Sequence, residues 1–353
     1  MTTLTTPIAP ATIRDVAKAS GVSIATVSYV INDGPRRVEP ATRTKVMAAM
    51  ELLQYHPSTM ARGLNRKRLD CLGVVFPMAI PSLVSDSYFS AILDGITHVA
   101  TEHEQNVVLY TGLKWRGRAS LPAFRDRRVD GLLLIAPLTD SGIVSTLTEA
   151  GLPFVLINGT DIDTRVASVD IDNVEAARQV VSYLQSLGHR RISLLGGLPN
   201  SPSTLPRRQG YEAAMSKSGF HCDQELIREG SYTQGWGYDG MCQLLALTDP
   251  PTAVFAGGDG IALGAYRACA DSGISVPDRM SIVGFDDAEF AHHLSPPLTT
   301  VRQPLMQIGS TAALMLLDRL THGQAEEIPA TQTVLPSELI IRASTMPPHS
   351  LTA

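Results

Sequence analysis

The chain has little of what announces covalent or metal chemistry. Only four of its 353 residues are cysteines, at positions 71, 222, 242 and 269, and none belongs to a CxxC motif or a zinc-type Cys/His spacing. A disulfide framework and a Cys/His metal site are therefore not expected, and the thiols read as reduced, partly buried side chains of a cytosolic protein. The nine histidines show no HxxxH spacing, and the adjacent pair His292 and His293 would point apart on a helix. Neither a metal nor a cofactor is expected. No stretch approaches the roughly 18 consecutive apolar residues of a membrane span, and the N-terminus has neither the basic region nor the apolar core of a secretion signal. These absences lead us to expect a cytoplasmic chain with no membrane partner. Enzyme signatures are missing as well. Gly258-x-Gly260-x-x-x-Gly264 is GxGxxxG rather than the dinucleotide-binding GxGxxG, Gly196 and Gly197 lack the remaining glycines, and there is no P-loop or GxSxG. We do not read the chain as an enzyme.

What is present is an uneven distribution of charge. The net charge is −5, yet residues 1–68 hold ten Lys/Arg against four Asp/Glu, while residues 69–353 hold nineteen against thirty. A basic head on an acidic body suits a protein that touches a polyphosphate with one end only. The length exceeds that of one typical domain and allows a large core.

The head has a readable pattern. Thr12-x-x-Asp15 is a capping box, with Asp in place of the usual Glu, opening a helix whose Ile13, Val16 and Ala17 form an apolar stripe. Gly21 breaks that helix, and Ser23 can cap a second one whose Val27, Val30 and Ile31 face inward. Two short helices about a tight glycine turn make a helix-turn-helix. The outward face of the second helix carries Ser23, Ile24, Ala25, Thr26, Ser28, Tyr29 and Asn32. Such small or hydrogen-bonding residues suit a helix laid against base edges and phosphates. A third helix is predicted over Pro40 to Leu53, with Val46, Met47, Met50 and Leu53 on one face.

With these motifs in hand, the chain resembles the LacI/GalR family of transcription regulators over nearly its whole length. The head matches at Thr12-Ile-x-Asp15-Val-Ala17, Gly21-Val-Ser23, Thr26-Val-Ser28-x-Val-Ile-Asn32, Thr42-Arg43, Tyr55-x-Pro57 and Ala61-Arg62-x-Leu64. The resemblance implies double-stranded operator DNA as a partner, with Ile24, Ala25 and Tyr29 reading bases and Thr12, Ser23, Thr26 and Asn32 holding phosphates. Tyr55, Ser58, Ala61 and Leu64 join this set. The segment Ser58 to Leu64 corresponds to a hinge helix, too short to be stable alone and weakened by Gly63. Leu64 corresponds to a leucine wedged into the minor groove, its plain alternative being a routine apolar contact. The divisions implied are a tail over 1–11, the helix-turn-helix domain over 12–57, the hinge and linker over 58–68, an effector-binding and dimerisation domain over 69–345, and a tail over 346–353.

From Leu72 onward short apolar runs alternate with helical stretches: 72–76, 107–111, 131–135, 154–157, then 192–196, 253–256 and 281–285. This rhythm predicts an α/β body of parallel sheets covered by helices, better divided into two doubly wound subdomains than merged into one large sheet. Between Thr111 and Arg127 the chain is several residues shorter than the family pattern, so a truncated helix is expected there. The resemblance adds a periplasmic-binding-protein type of fold with a small-molecule effector between the subdomains, and a homodimer. Only eight residues follow Thr345, too few for a tetramerising coil.

Ligands of open α/β sheets lie beyond the carboxyl ends of strands. Asp286 and Asp259 each follow such a strand, and the resemblance gives Asp286, Asp259, Arg207, Tyr232, Tyr88 and Phe89 as effector contacts. An Arg–Asp clamp suits vicinal hydroxyls or a polar heterocycle. Plain alternatives stand beside these roles: Asp286 as a loop cap, Asp259 as structural support, Arg207 as a surface charge, and Tyr88 or Phe89 as core. Gly257-Gly258-Asp259 departs from the commoner Ala-Asn-Asp and, with Tyr88-Phe89, resembles the purine-repressor branch. A sugar or sugar derivative is the more frequent effector in the family, with a purine-like ligand as the alternative. Repression is the expected outcome.

Overall fold

A computed structural model describes residues 11–32, 38–56, 68–76, 86–111, 117–126, 128–159, 166–220, 222–322 and 331–348. Ser58, Ala61 and Leu64 lie outside these residues, as do residues 1–10 and 349–353 of the two expected tails. The chain divides into two compact units, Met1–Asp70 and Cys71–Ala353.

In the first unit α1 (Ile13–Ser20), α2 (Ile24–Asn32) and α3 (Pro40–Leu52) form a three-helix head. The Asp15 carboxylate accepts the Thr12 backbone N–H at 2.8 Å and its hydroxyl at 2.7 Å, which ties down the start of α1. Gly21, at φ 70°, ends α1 in the left-handed region and donates its N–H to the Ala17 carbonyl. Ser23 then accepts the Thr26 N–H at 3.1 Å, capping α2. Val16, Ala17, Val27, Val30, Val46 and Ala49 make the core, with Ile13, Ile31, Met50, Leu53 and Tyr55 packed against it. The expected face of α3 is corrected at one position. Met47 is 53% exposed and Ala49 is buried instead, because a turn of 3.6 residues places 46, 49, 50 and 53 together and rotates 47 away.

The second unit contains two parallel sheets. The first has strands β1 (Cys71–Val75), β2 (Asn106–Tyr110), β3 (Gly131–Ile135), β4 (Phe154–Ile157), β5 (Ala167–Ile171) and the late strand β11 (Gln332–Leu335), in the order β11-β5-β4-β3-β1-β2. Both faces are covered, as strands of parallel sheets require. Leu133 and Ile135 join the core under α4 (Ser87–Glu102) and α11 (Leu305–His322), whereas Leu132 and Leu134 pack with Phe124, Ile143 and Leu147 on the other face. Phe124 belongs to α5 (Leu121–Phe124), and Ile143 and Leu147 to α6 (Ile143–Glu149). Helix α5 is only four residues long, in keeping with the shortened segment read from the sequence.

The second sheet comprises β6 (Ile192–Gly196), β7 (Ile227–Glu229), β8 (Ala253–Ala256) and β9 (Ser281–Val283), ordered β7-β6-β8-β9. Helices α7 (Asn173–Ser186) and α8 (Thr204–Lys217) cover one side, and α9 (Gln234–Leu245) and α10 (Asp259–Asp271) the other. A short antiparallel pair, β10 (Thr300–Arg302) with β12 (Glu338–Ile340), lies where the chain returns between the subdomains. Among the described residues the chain passes between the two sheets near 171–173, 302–305 and 335–338. The body's bonding runs on to Met346, whose N–H donates to the Ser281 hydroxyl at 3.1 Å.

Candidate DNA-contacting face and candidate effector cleft

The start of α2 is exposed. Ser23, Ile24 and Ala25 are exposed, Ile24 to 46%, and Thr26, Ser28 and Tyr29 are half-buried. An exposed isoleucine beside small residues on a capped helix leaves backbone N–H groups and an apolar contact presented together, which is what groove binding needs. Thr12 is exposed at the start of α1. Tyr55 is different: it is half-buried and packs against the head core, so its ring also holds the three helices together.

In the body, a cavity of about 380 Å³ opens at the carboxyl ends of the second sheet's strands and is closed on its other side by the start of α4. It brings together all six residues read from the sequence, Tyr88, Phe89, Arg207, Tyr232, Asp259 and Asp286, although they come from three helices and two loops.

Arg207 is no surface charge. It projects from α8, is 5% exposed, donates to Asn173 Oδ1 at 2.9 Å and to the Gly257 carbonyl at 2.5 Å, and lies 3.6 Å over the Phe285 ring. Asn173, at the first crossing, in turn donates to Asp170 Oδ1 at 3.0 Å. Asp286 follows β9 at φ 118°, a conformation that non-glycine residues rarely adopt, and accepts the Gln303 amide at 2.7 Å. Burial pushes its carboxyl up to about 6, against the pull of Arg207 and of the Gln303 bond. Burial likewise pushes Asp170 up to about 6.

Asp259 has the character of a support. It is 1% exposed, and its two oxygens accept the Ala288 N–H at 2.7 Å and the Thr300 hydroxyl at 2.6 Å, joining α10 to the Asp286 loop and to β10. Burial, then the nearby Asp286, raises its pKa well above the ordinary value. Tyr232 is held at its hydroxyl by Ser203 at 2.8 Å and Thr204 at 2.9 Å, leaving its ring on the cavity wall. That ring lies where a Cβ on Gly197 would stand, 2.1 Å away, so only glycine fits there. Tyr88 accepts from Asn158 Nδ2 at 2.5 Å and stacks edge-on against Phe89, their centroids 5.0 Å apart; Phe89 itself is buried in the core.

Several participants were missed by sequence reasoning. Asp86 caps α4 through the N–H groups of Tyr88 at 3.1 Å and Phe89 at 3.2 Å, and it lines the cavity. Its signal, an acidic residue just before an aromatic helix start, was available. Phe290, Ser203 and Asn173 had no local signal.

Comparison with known proteins fits this arrangement. Catabolite control protein A of Priestia megaterium is 32% identical over 337 residues, covering 95% of this chain and 99% of that protein. Residues 12–58 match the family described as bacterial regulatory proteins, lacI family. The chain belongs to the LacI family. Residues 181–345 of this LacI-family regulator match the periplasmic binding protein-like domain. Among solved structures, a lac repressor dimer bound to operator and the anti-inducer ONPF superposes with a TM-score of 0.80 at 31% identity, covering 96% of this chain and 100% of that one. A complex of the transcriptional regulator CelR with cellobiose gives 0.71 at 32% identity over 95% of this chain and 99% of that one. The fold read from the sequence, a helix-turn-helix head followed by periplasmic-binding-protein-like α/β layers, is therefore the fold of this LacI-family regulator. Among the described residues no helix is long and apolar enough to cross a membrane.

Proposed function

We propose that this regulator binds a pseudo-palindromic operator as a homodimer, represses transcription there, and responds to a small sugar or sugar derivative in the body cleft. It is no enzyme in this reading and works in the cytoplasm at its DNA. Ile24, Ala25 and Tyr29 read base edges in the major groove, while Thr12, Ser23, Thr26 and Asn32 fix phosphates. Ser58, Ala61 and Leu64, the hinge residues of the family resemblance, complete the DNA-binding set. In the cleft, Arg207 and Asp286 provide the polar contacts, Tyr232 and Tyr88 the ring faces, Phe89 backs Tyr88, and Asp259 holds the loop that aims Asp286.

The observation that carries the effector assignment is the meeting of Arg207, Tyr232 and Asp286 around one cavity of about 380 Å³, within the size range of small-ligand sites. The CelR–cellobiose complex supports a sugar, and Gly257-Gly258-Asp259 with Tyr88-Phe89 keeps a purine base as the second reading. The test is operator selection from fragmented genomic DNA, with and without added ligands. An enriched palindrome whose occupancy changes with a sugar supports the proposal. An operator that responds only to a purine selects the second reading, and no enriched site under any condition removes the DNA assignment.

A further inference from the structure

Resting on that effector reading, the charges around the cavity narrow the ligand's chemistry. The charged residues lining it are Asp86, Asp259, Asp286 and Arg207, and among the described lining residues there is no lysine or histidine. Arg207 commits Nε to Asn173 and Nη1 to the Gly257 carbonyl and lies over the Phe285 ring, so this single cation has Nη2 to offer a ligand against three acids. Asp259 already serves Ala288 and Thr300 at its two oxygens. The other two acids are less fully engaged, although the Asp286 carboxylate also accepts from the Asp259 backbone. Oδ1 of Asp86 accepts the N–H groups of Tyr88 and Phe89, and Oδ1 of Asp286 accepts Gln303. Oδ2 of Asp286 lies along the cavity wall, 3.5 Å from where a Cβ on Gly258 would stand.

These two acids belong to opposite walls. Asp86 caps α4 over the first sheet, and Asp286 follows β9 of the second. Both carboxylates line the same cavity, and burial first, then the charge of Asp86 among smaller causes, raises the pKa of Asp286. Like charges on facing walls favour a guest that donates hydrogen bonds or positive charge, and they penalise an anion.

We infer that the cleft takes a hydroxyl-rich ligand carrying no negative charge, bridged between Asp86 and Asp286, and that an amino sugar binds more tightly than its neutral parent. Phosphorylated sugars and sugar acids are rejected. The apolar face of the sugar ring rests on Tyr232 and Phe290, both on the cavity wall.

The experiment uses the full chain and a panel of mono- and disaccharides, each in neutral, 2-amino, 6-phosphate and uronic acid forms, together with nucleobases and nucleosides. Binding is read by thermal shift and titration calorimetry. The expected ligands are neutral and amino forms, the amine about tenfold tighter at pH 7.5 because its contacts to carboxylate are charge-assisted. Asp86→Asn erases that preference without lowering the melting temperature, since asparagine caps a helix as well as aspartate does. A phosphorylated or acid form that binds as tightly as its neutral parent overturns the charge rule and leaves the effector reading standing. So does an amine preference that survives in Asp86→Asn. No binding by any member of the panel overturns the effector reading itself, and the charge rule with it.

Discussion

The head and the cleft present their functional atoms by opposite routes. In the head, Ser23, Ile24, Ala25, Thr26 and Tyr29 are near neighbours in sequence, displayed on one helix whose other face is buried. In the cleft, Tyr88, Arg207, Tyr232 and Asp286 come from distant parts of the chain and meet only because two sheets end facing one another. A recognition surface made of one helix is a local property, set by periodicity. A binding cavity between layers is a property of topology, and its members are tuned by neighbours that the sequence does not place beside them.

The widest separation of the two regions comes from Val27→Asp. Val27 has no exposed surface in a core built from three short helices, and an unpaired charge there costs several kcal/mol, roughly the stability of a domain this small. Operator affinity, read by fluorescence anisotropy, falls by more than about a thousandfold, a loss of over ~4 kcal/mol. Ligand binding by the same full-length variant stays within about twofold, under ~0.5 kcal/mol. Loss of both activities breaks the comparison, because it would mean that the two units do not fold independently.

Arg207→Lys makes the converse cut. Lysine keeps the charge but not the planar fork that bonds Asn173 and Gly257 while stacking on Phe285. Effector affinity drops by about 10–100-fold, the worth of one or two charge-assisted hydrogen bonds, and ligand-free operator binding is unchanged. A smaller effect sharpens the head. Tyr29→Ala shifts base preference at one position per half-site by about tenfold, measured by selection from randomised operators, with little change elsewhere. Unchanged selectivity removes Tyr29 from the reading set.

The smallest expected effect is a pH profile confined to the body. The Asp286 carboxyl is pushed up to about 6 by burial, whereas in the unfolded chain it titrates near the ordinary value of about 4. Between those values the folded state holds a proton that the unfolded state has lost, so stability is greatest below the window, falls as pH rises through it, and is flat above. Effector affinity moves the other way, rising as the carboxylate forms. Asp286→Asn removes this residue's share of both slopes between about pH 4 and 6. The stability slope is reduced rather than abolished, because Asp170 titrates in the same direction. A wild-type slope retained in full by the variant shows that Asp286 does not set it.

Much of the fold was legible because its strands are continuous apolar runs and its head helices have one apolar stripe. Where those signals weaken, reading failed. Strand β5, Ala167 to Ile171, is buried at every position yet contains Ser168 and Asp170, which interrupt the apolar run. Strands β7, β10 and β12 are three residues each, and β11 alternates between exposed and half-buried, so none carries a strong pattern. The site was legible to a similar depth. Arg207, Tyr232 and Asp286 were named by motif, but Asp86 and Phe290, which share their cavity, were not.

By itself the sequence determined the helix-turn-helix, the parallel α/β alternation, the basic head on an acidic body and the family, because each depends on spacing or charge along the chain. Only the tertiary structure decided that Asp259 is consumed at both oxygens while Asp286 keeps one toward the cavity, and that Arg207 is buried on an aromatic ring beneath it. Those outcomes depend on which groups burial removes from water and which it places within bonding distance, and both are set by contacts between residues far apart in the chain.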